Sequence, residues 1–169
     1  RLSLETLAYT GPALPPEAPS QEQFRKNLLK AGAILSGAGY RVEGGQLFAP
    51  SGAPVAFEIL LSAPGEEKTA LTWVAALARL GIKTRVHTVD SAQYQARLAA
   101  FNYDVTATKW PNSLSPGNEQ LYFWGSAAAD QRGSRNYAGV KDPVVDALAA
   151  AISKAATRDD LVAAARALI

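Results

Sequence analysis

The stretch that decides the fold is residues 55–109, VAFEILLSAPGEEKTALTWVAALARLGIKTRVHTVDSAQYQARLAAFNYDVTATK. It contains three short segments with the alternating or β-branched pattern typical of strands, at 55–61, 82–89 and 103–109. The residues between them, 66–80 and 90–98, have the apolar spacing of helices. This order predicts two βαβ crossovers. We therefore expect an α/β fold, with a parallel or mixed sheet and helices on both of its faces.

The residues before this stretch predict a lead-in, a helix and a hairpin. Prolines and a glycine are dense in 1–19, which predicts an extended lead-in, and we expect 20–169 to form a single α/β lobe. Ser20 and Gln23 have capping-box spacing at the start of a helix that ends near Gly37. Two adjacent glycines within 40–48 predict a small hairpin.

The residues after this stretch predict one loop and three helices. The loop WPNSLSPGN, residues 110–118, is rich in Pro and Gly and follows the third strand. A short helix is expected at 119–124. Asp142 before Pro143 predicts the start of a second helix, and Thr157 with Asp160 caps a third, whose apolar pattern still runs at Ile169. Ligand sites of open α/β sheets tend to lie at such loops, beyond the carboxyl ends of strands.

The composition excludes several classes of protein. Hydrophobic residues make up 48% and charged residues 19%, a globular balance. The net charge of +2 comes from basic residues that are spread along the chain, so no nucleic-acid partner is expected. No apolar run approaches the roughly 20 residues of a membrane span. Because cysteine is absent, disulfides and thiolate chemistry are excluded.

No residue pattern predicts catalysis, a metal site or a cofactor. His87 is the single histidine, and a position within a strand favours a surface histidine over a general base. The acidic pairs at 66–67 and 159–160 lie in helix first turns, where the helix dipole explains them. Gly37 and Gly39 follow a helix and lack the third glycine of a dinucleotide-binding loop. We therefore expect no enzyme, no metal and no cofactor.

A ligand-binding surface is predicted around the loop at 110–118. Aromatic walls with a few polar groups are typical of ligand pockets. The predicted ligand-binding residues are Trp110, Ser113, Ser115, Asn118, Arg135, Asn136 and Tyr137. The alternative is that the polar ones only shape turns by bonding to nearby backbone.

From about Phe24 onward, the chain resembles the second lobe of the family 5 extracellular solute-binding proteins, which carry oligopeptides, dipeptides, nickel or related cargo to ABC importers. The resemblance lies in the order and spacing of several segments: AGAILSGAGY at 31–40, LARLGIK at 77–83, FNYDV at 101–105 ahead of Trp110, and Asn136-Tyr137 ahead of DPVVDAL at 142–148. The segments SLSPGNEQ at 113–120 and FWGSAAAD at 123–130 resemble most the branch that includes the microcin-C-type peptide-binding proteins.

The resemblance implies a periplasmic-binding-protein-like lobe. Its partners would be an oligopeptide or peptide-like ligand, ABC permease subunits in the membrane, and a first lobe that these residues do not contain. It also implies a periplasmic or extracellular location. In peptide-binding members, an Asp three residues after the equivalent tryptophan pairs with the free α-ammonium of the peptide, whereas this chain has Ser113 there. A hydroxyl is a weaker partner for an ammonium, so we expect cargo whose amine is blocked or differently placed.

Two other classes of function stay open from the sequence. One is a small α/β enzyme or nucleotide-handling domain, since fold does not determine function. The other is a module that binds another protein through its exposed loops.

Overall fold

A computed structural model of the chain describes residues 17–168, except 112 and 114. Most of the predicted lead-in at 1–19 therefore lies outside the described residues. The described residues form two compact units, which we call the sheet unit, 17–94 with 103–107, and the helical unit, 95–102 with 108–168. The single lobe over 20–169 stays a prediction.

The sheet unit begins with the predicted helix and hairpin. Helix α1, Gln21–Gly37, is capped by the Ser20 hydroxyl, which accepts a hydrogen bond from the backbone N–H of Gln23 at 3.1 Å. The Gln23 side chain donates to Asn27 and does not return to Ser20, so only half of the capping box forms. Strands β1, Arg41–Glu43, and β2, Gln46–Phe48, pair antiparallel.

The three predicted strands form one parallel sheet. Strand β3, Ala56–Leu61, lies between β4, Lys83–Thr88, and β5, Val105–Thr106, and both pairings are parallel. A 3₁₀ turn, Pro64–Glu66, and helix α2, Glu67–Ala78, connect β3 to β4. Helix α3, Ser91–Ala99, connects β4 to β5, and its first turn is bonded to Asp90 as predicted. The α/β class and the parallel sheet are confirmed.

The core of this unit forms where the sheet meets α2. Ile59 and Leu61 of β3 are each 3% exposed and form a cluster with Ala70 of α2. Phe57, Val74, Val86 and Val105 pack against this cluster. Each buried Ile or Leu side chain contributes about 2 kcal/mol of transfer free energy. The alternating pattern of the strands places these apolar side chains on the face that α2 covers.

Two details of the sheet unit differ from the sequence prediction. Strand β5 has two residues instead of the seven at 103–109. The Asp104 carboxylate accepts the hydrogen bond of Glu58 N–H at 2.9 Å, so a side chain occupies a position that a strand carbonyl would take. Beyond the strand, the Tyr94 hydroxyl donates to the Ala107 carbonyl at 2.6 Å. In α2, Trp73 fits the apolar spacing, but its side chain is 54% exposed.

The helical unit contains the three remaining helices. They are α4, Glu119–Trp124, followed by a 3₁₀ turn, Ser126–Ala128, then α5, Pro143–Lys154, and α6, Arg158–Leu168. The Asp142 carboxylate accepts the Val144 N–H at 2.7 Å, and Pro143 occupies the first helical position, as predicted. Thr157 caps α6 by accepting the Asp160 N–H at 3.1 Å. Leu148 and Ile152 of α5 and Ala164 of α6 are buried.

Candidate functional site

Three aromatic side chains of the helical unit form a cluster. The ring of Trp110 lies 5.0 Å from that of Trp124 and 5.9 Å from that of Tyr137, measured between centroids, and both pairs are tilted. The indole N–H of Trp110 donates to the Arg135 carbonyl at 3.0 Å, and that of Trp124 donates to the Gln120 side chain at 3.2 Å. Since the polar edges of both indoles are bonded within the unit, their ring faces are what they can offer to a ligand.

A mostly apolar cavity of about 580 Å³ lies against this cluster. Trp124 forms part of its wall, and Ser113 and Gln120 contribute its polar groups. The other lining residues are Pro116, Val140, Val145, Ile152, Ala165 and Leu168. The volume lies within the usual range of small-molecule sites, roughly 300–1,000 Å³. The cavity can accept an apolar or aromatic group, with hydrogen bonds at one side.

The loop that follows Trp110 uses its polar side chains locally. The Ser113 hydroxyl donates to the Ser115 carbonyl at 2.8 Å and accepts the Ser115 N–H at 3.1 Å, which closes a small turn. The Asn118 side chain accepts a hydrogen bond from the Ser153 hydroxyl on α5. Ser113, Ser115, Asn118 and Arg135 are exposed. These contacts support the turn-forming alternative for Ser113, while its exposure leaves it accessible to a ligand.

Asn136 lies in a different environment from the one predicted. Its side chain is 0% exposed, and its amide N–H groups donate to the carbonyls of Gly125 and Val140 at 3.0 and 2.9 Å. Its side-chain oxygen accepts the Val140 N–H at 2.9 Å. All of these bonds are internal to the unit. In the structure Asn136 cross-links the backbone at Gly125 and Val140. It does not have the ligand-facing position expected from the sequence.

Two carboxylates hold the backbone at the two ends of α4. The Asp146 carboxylate accepts the Ser126 N–H at 2.7 Å, and this hydrogen bond lowers the pKa of Asp146. The Glu119 carboxylate accepts the Gly117 N–H at 2.8 Å, and this bond lowers the pKa of Glu119. Both groups are therefore ionised at neutral pH and fix the loops that enter and leave α4.

The groups considered for catalysis or metal binding have structural contacts. His87 Nδ1 lies 3.2 Å from Glu58 Oε2, and the same oxygen pairs with Arg85 at 2.5 Å. The Thr88 hydroxyl donates to Glu67 at 2.6 Å. In the part of the chain that the structure describes, no group of three or more His, Cys, Asp or Glu side chains could hold a metal ion. Within residues 17–168, apart from 112 and 114, no helix has the length and apolar character to cross a membrane.

The sequence analysis predicted Trp110 and Tyr137, whose rings the structure brings together with that of Trp124, but it did not predict the aliphatic walls of the cavity. Val145 and Ile152 belong to the apolar stripe of α5, and Ala165 belongs to that of α6. Such stripes predict burial, and they do not distinguish the lining of a cavity from a closed core. Gln120 also lines the cavity, and its burial, 5% exposed, is visible only in the structure.

The chain is an α/β segment whose helical unit has a cavity beside an aromatic cluster. Comparison with known proteins identifies its family. Residues 4–132 match the middle part of the bacterial extracellular solute-binding proteins, family 5. The chain belongs to this family.

Curated relatives align over nearly the whole chain. The protein y4wM of Sinorhizobium fredii is 48% identical over 161 residues, which cover 95% of this chain and 24% of y4wM. The Agrobacterium fabrum protein named probable peptide-binding protein YejA is 44% identical over 154 residues, 90% of this chain and 25% of its own. The peptidoglycan-binding protein YepA of the same organism is 41% identical over 143 residues, which cover 85% of this chain and 23% of YepA. This chain therefore spans about a quarter of the length of these relatives.

Solved structures share the fold at lower identity. The oligopeptide-binding protein AppA of Bacillus subtilis, solved with a nonapeptide, superposes with a TM-score of 0.68 at 21% identity, over 83% of this chain and 28% of AppA. NikZ of Campylobacter jejuni, solved with Ni(L-His), superposes with a TM-score of 0.70 at 16% identity, over 83% of this chain and 29% of NikZ. These likenesses confirm the periplasmic-binding-protein-like fold. The closer resemblance to the microcin-C-type branch stays a prediction.

Proposed function

We propose that this chain is one lobe of the solute-binding component of an ABC importer, which encloses oligopeptides or peptide-like cargo between two lobes and delivers it to a membrane permease. The observation that carries the proposal is the 44% identity over 154 residues to a protein named as peptide-binding, within family 5. The first lobe, the permease subunits and a periplasmic or extracellular location are parts of the same proposal. The role is one of binding, without catalysis.

The cargo surface of this lobe is proposed to be the Trp110, Trp124 and Tyr137 cluster with the adjoining cavity. An apolar side chain that enters the cavity gains roughly 1.5–3 kcal/mol of transfer free energy. Stacking on an indole face adds roughly 0.5–1.5 kcal/mol for an aromatic group. Arg135, Ser113, Ser115 and Asn118 are exposed around the cluster and the loop, and can contact polar groups of the cargo. The same surface suits peptides with bulky apolar side chains better than strongly charged ones.

A peptidoglycan fragment is a second candidate cargo, favoured by the 41% identity to the peptidoglycan-binding protein YepA. In peptidoglycan the first amine of the stem peptide is held in an amide bond, so it carries no charge. This agrees with Ser113, a neutral hydroxyl, at the position where the family resemblance implies an ammonium-binding Asp. Both candidates share one chemistry, a peptide whose amino end is acylated or turned away from this lobe.

The enzyme or nucleotide-handling alternative has less support. The single histidine, His87, lies 3.2 Å from the Glu58 carboxylate. The family to which the chain belongs is one of solute-binding proteins. A module that binds another protein through loops would bind as an isolated unit, whereas a receptor lobe needs its partner lobe. Measuring whether the isolated chain binds another protein therefore separates the interaction-module alternative from the proposed receptor lobe.

Isothermal titration calorimetry on the full-length receptor tests the proposed surface. We expect Trp110→Ala to weaken binding of an apolar peptide at least about tenfold, since it removes the central ring of the cluster. Trp110→Phe keeps a ring at this position but loses the bond to the Arg135 carbonyl, so an intermediate loss is expected. Leu71→Ala, which replaces an exposed side chain of α2, is the matched control and should leave the affinity unchanged. Unchanged affinity in Trp110→Ala, with the fold verified by circular dichroism, would refute this site.

A further inference from the structure

The stretch GSRNYAGV, residues 133–140, is held at its start by bonds to two helices of the helical unit. The Gly133 N–H donates to the Ala99 carbonyl at 2.9 Å, and the Gly133 carbonyl accepts the Tyr122 hydroxyl at 2.5 Å. A loop that is bonded in this way can present a side chain at a fixed place, which is what a selective binding site needs.

Two buried polar side chains of this stretch lie on either side of Arg135. Ser134 is 2% exposed, and its hydroxyl donates to the Ala128 carbonyl at 2.6 Å and accepts the Asn136 N–H at 3.3 Å. Asn136 is 0% exposed, and three hydrogen bonds join its side chain to backbone atoms. Buried networks whose polar groups are bonded make the backbone rigid. The backbone of Arg135 is therefore fixed from both sides, whereas its side chain is exposed.

Arg135 lies beside the aromatic cluster. Its carbonyl accepts the Trp110 indole N–H at 3.0 Å, and Tyr137, two residues further on, provides the third ring of the cluster. Arg135 is also the one charged residue of the stretch. Its guanidinium forms no ion pair with any other described residue. The rings and an exposed cation on a rigid backbone are thus neighbours on one surface.

The carboxylates of this part of the chain already have partners. The acidic residues between 108 and 157 are Glu119, Asp130, Asp142 and Asp146. Three of them accept a backbone N–H, and Asp130 pairs with Lys141 at 2.7 Å. Ser113, where the family resemblance implies an Asp, adds no charge. The charges around the cluster therefore favour an anionic group of the cargo over a cationic one.

A carboxylate is the anionic group of a peptide that fits a single arginine. The guanidinium presents its N–H groups in a planar fork, which matches the two oxygens of a carboxylate. Charge-assisted hydrogen bonds of this kind are stronger than bonds between neutral groups. In a peptide, the carboxylate belongs either to the carboxyl terminus or to an acidic side chain.

We propose that Arg135 binds a carboxylate of the cargo, so that this lobe selects peptides in which a carboxylate lies close to an apolar side chain. The apolar side chain packs on the aromatic cluster, and the carboxylate bonds to the guanidinium. This rests on the proposed function, because it takes the cluster to be the cargo surface. Arg135 is then a residue that determines specificity, and its flanking residues Ser134 and Asn136 hold it in position.

Calorimetry on the full-length receptor with two pairs of peptides tests the proposal. One pair is N-formyl-leucyl-tryptophyl-leucine as the free acid and as the carboxyl-terminal amide. The other pair is this amide with its first leucine replaced by glutamate or by glutamine. In at least one pair, we expect the carboxylate form to bind about tenfold or more tightly than its neutral partner, because it gains charge-assisted hydrogen bonds. The pair that shows this difference identifies the source of the carboxylate.

Arg135→Gln should abolish the difference by weakening the carboxylate form alone. Arg158→Gln removes the same charge from an exposed position of α6 that does not line the cavity, and should preserve the difference. A difference that survives Arg135→Gln, with the fold verified by circular dichroism, would overturn the proposal. A receptor that binds all four peptides equally keeps its proposed function but lacks this selectivity, whereas a receptor that binds none of them contradicts both.

Discussion

Asn136 connects the buried part of the helical unit to its aromatic cluster. Its side chain bonds to the backbone of Gly125 and Val140, so the position of residue 136 is fixed from two sides. The carbonyl of the residue before it, Arg135, accepts the Trp110 indole N–H, and the ring of the residue after it, Tyr137, lies 5.9 Å from that of Trp110. Asn136 therefore positions both contacts of Trp110, although its own amide lies inside the unit.

Asp146 gives a pH-dependent contribution to stability. The hydrogen bond from Ser126 N–H lowers the folded-state pKa of Asp146 below its unfolded value of about 3.9. The stabilisation is thus fully present above the unfolded pKa and is lost as the pH falls through the folded pKa. We expect Asp146→Asn to lower the thermal midpoint at pH 7, with the difference from the unmodified protein narrowing near pH 3. Thermal unfolding followed by circular dichroism at both pH values measures this.

Asp130→Asn is the control for this prediction. Asp130 pairs with Lys141 at 2.7 Å, and both side chains are more than half exposed. Such exposed pairs contribute roughly 0–1 kcal/mol, so this substitution should change the midpoint at pH 7 less than Asp146→Asn does. Identical melting curves for Asp146→Asn and the unmodified protein at pH 7 would rule out a stabilising role for the Ser126 contact.

At the scale of elements, helix starts were the most predictable features of the fold. Ser20, Asp142 and Thr157 were identified as caps, and each accepts a hydrogen bond from a backbone N–H of the first turn. Capping depends on residues within three or four positions, so a single sequence contains the information. The order of the strands also followed from local pattern, because each crossover helix is long enough to make its strands parallel.

Features that depend on distant partners were not predictable. The length of β5 depends on the Asp104 side chain reaching Glu58 N–H, across 46 positions of sequence. The cavity depends on how α4, α5 and α6 pack, and apolar spacing gives only the buried face of each helix. Asn is a residue type common in turns. The structural role of Asn136 is visible only in its contacts with Gly125 and Val140. An aromatic residue at the start of a polar loop is unusual in itself, which is why the sequence suggests a ligand contact at Trp110; that contact stays a prediction.

Gly81 joins the hairpin to the α2–β4 connection, and we expect this junction to be sensitive to substitution. Its φ is +80°, and a Cβ added there would lie 2.9 Å from Leu47 N, while its carbonyl accepts the Leu47 N–H at 2.7 Å. A left-handed backbone costs an L-residue roughly 1–2 kcal/mol before any steric clash is added. Gly81→Ala should therefore lower the free energy of unfolding by at least about 2 kcal/mol, measured by urea denaturation.

Gly32→Ala provides the matched comparison within the same unit. Gly32 lies inside α1 with nothing within 4 Å of an added Cβ. Alanine in a helix interior is favoured over glycine by roughly 0.5–1 kcal/mol, so this substitution should stabilise. A Gly81→Ala variant as stable as Gly32→Ala would show that the junction tolerates rearrangement.

For the proposed receptor, affinity would depend on enclosure of the cargo. Sites for small molecules bury roughly 70–90% of the ligand surface, whereas one aromatic cluster with a cavity of about 580 Å³ offers a single wall. If the proposed function holds, this chain in isolation should bind weakly, with tight binding arising only when the proposed second lobe closes over the cargo. The chemistry of each lobe then contributes separately to selectivity, and in this lobe the position of Ser113 is the most informative.

Ser113 provides a test of cargo selectivity in the full-length receptor. Without a carboxylate at this position, we expect a peptide with a formylated amino terminus to bind at least as tightly as the same peptide with a free amine. Ser113→Asp should reverse this order and strengthen binding of the free-amine peptide about tenfold or more, since a charge-assisted hydrogen bond contributes roughly 1.5–3 kcal/mol. An Asp can still accept the Ser115 N–H that the hydroxyl accepts now, so the turn is expected to persist. Ser91→Asp adds the same charge at an exposed position of the sheet unit, outside the proposed cargo surface, and should leave the preference unchanged. Calorimetry with the two peptides measures this preference. If the unmodified receptor binds the free-amine peptide more tightly than the formylated one, the ammonium has another partner and Ser113 does not select the cargo.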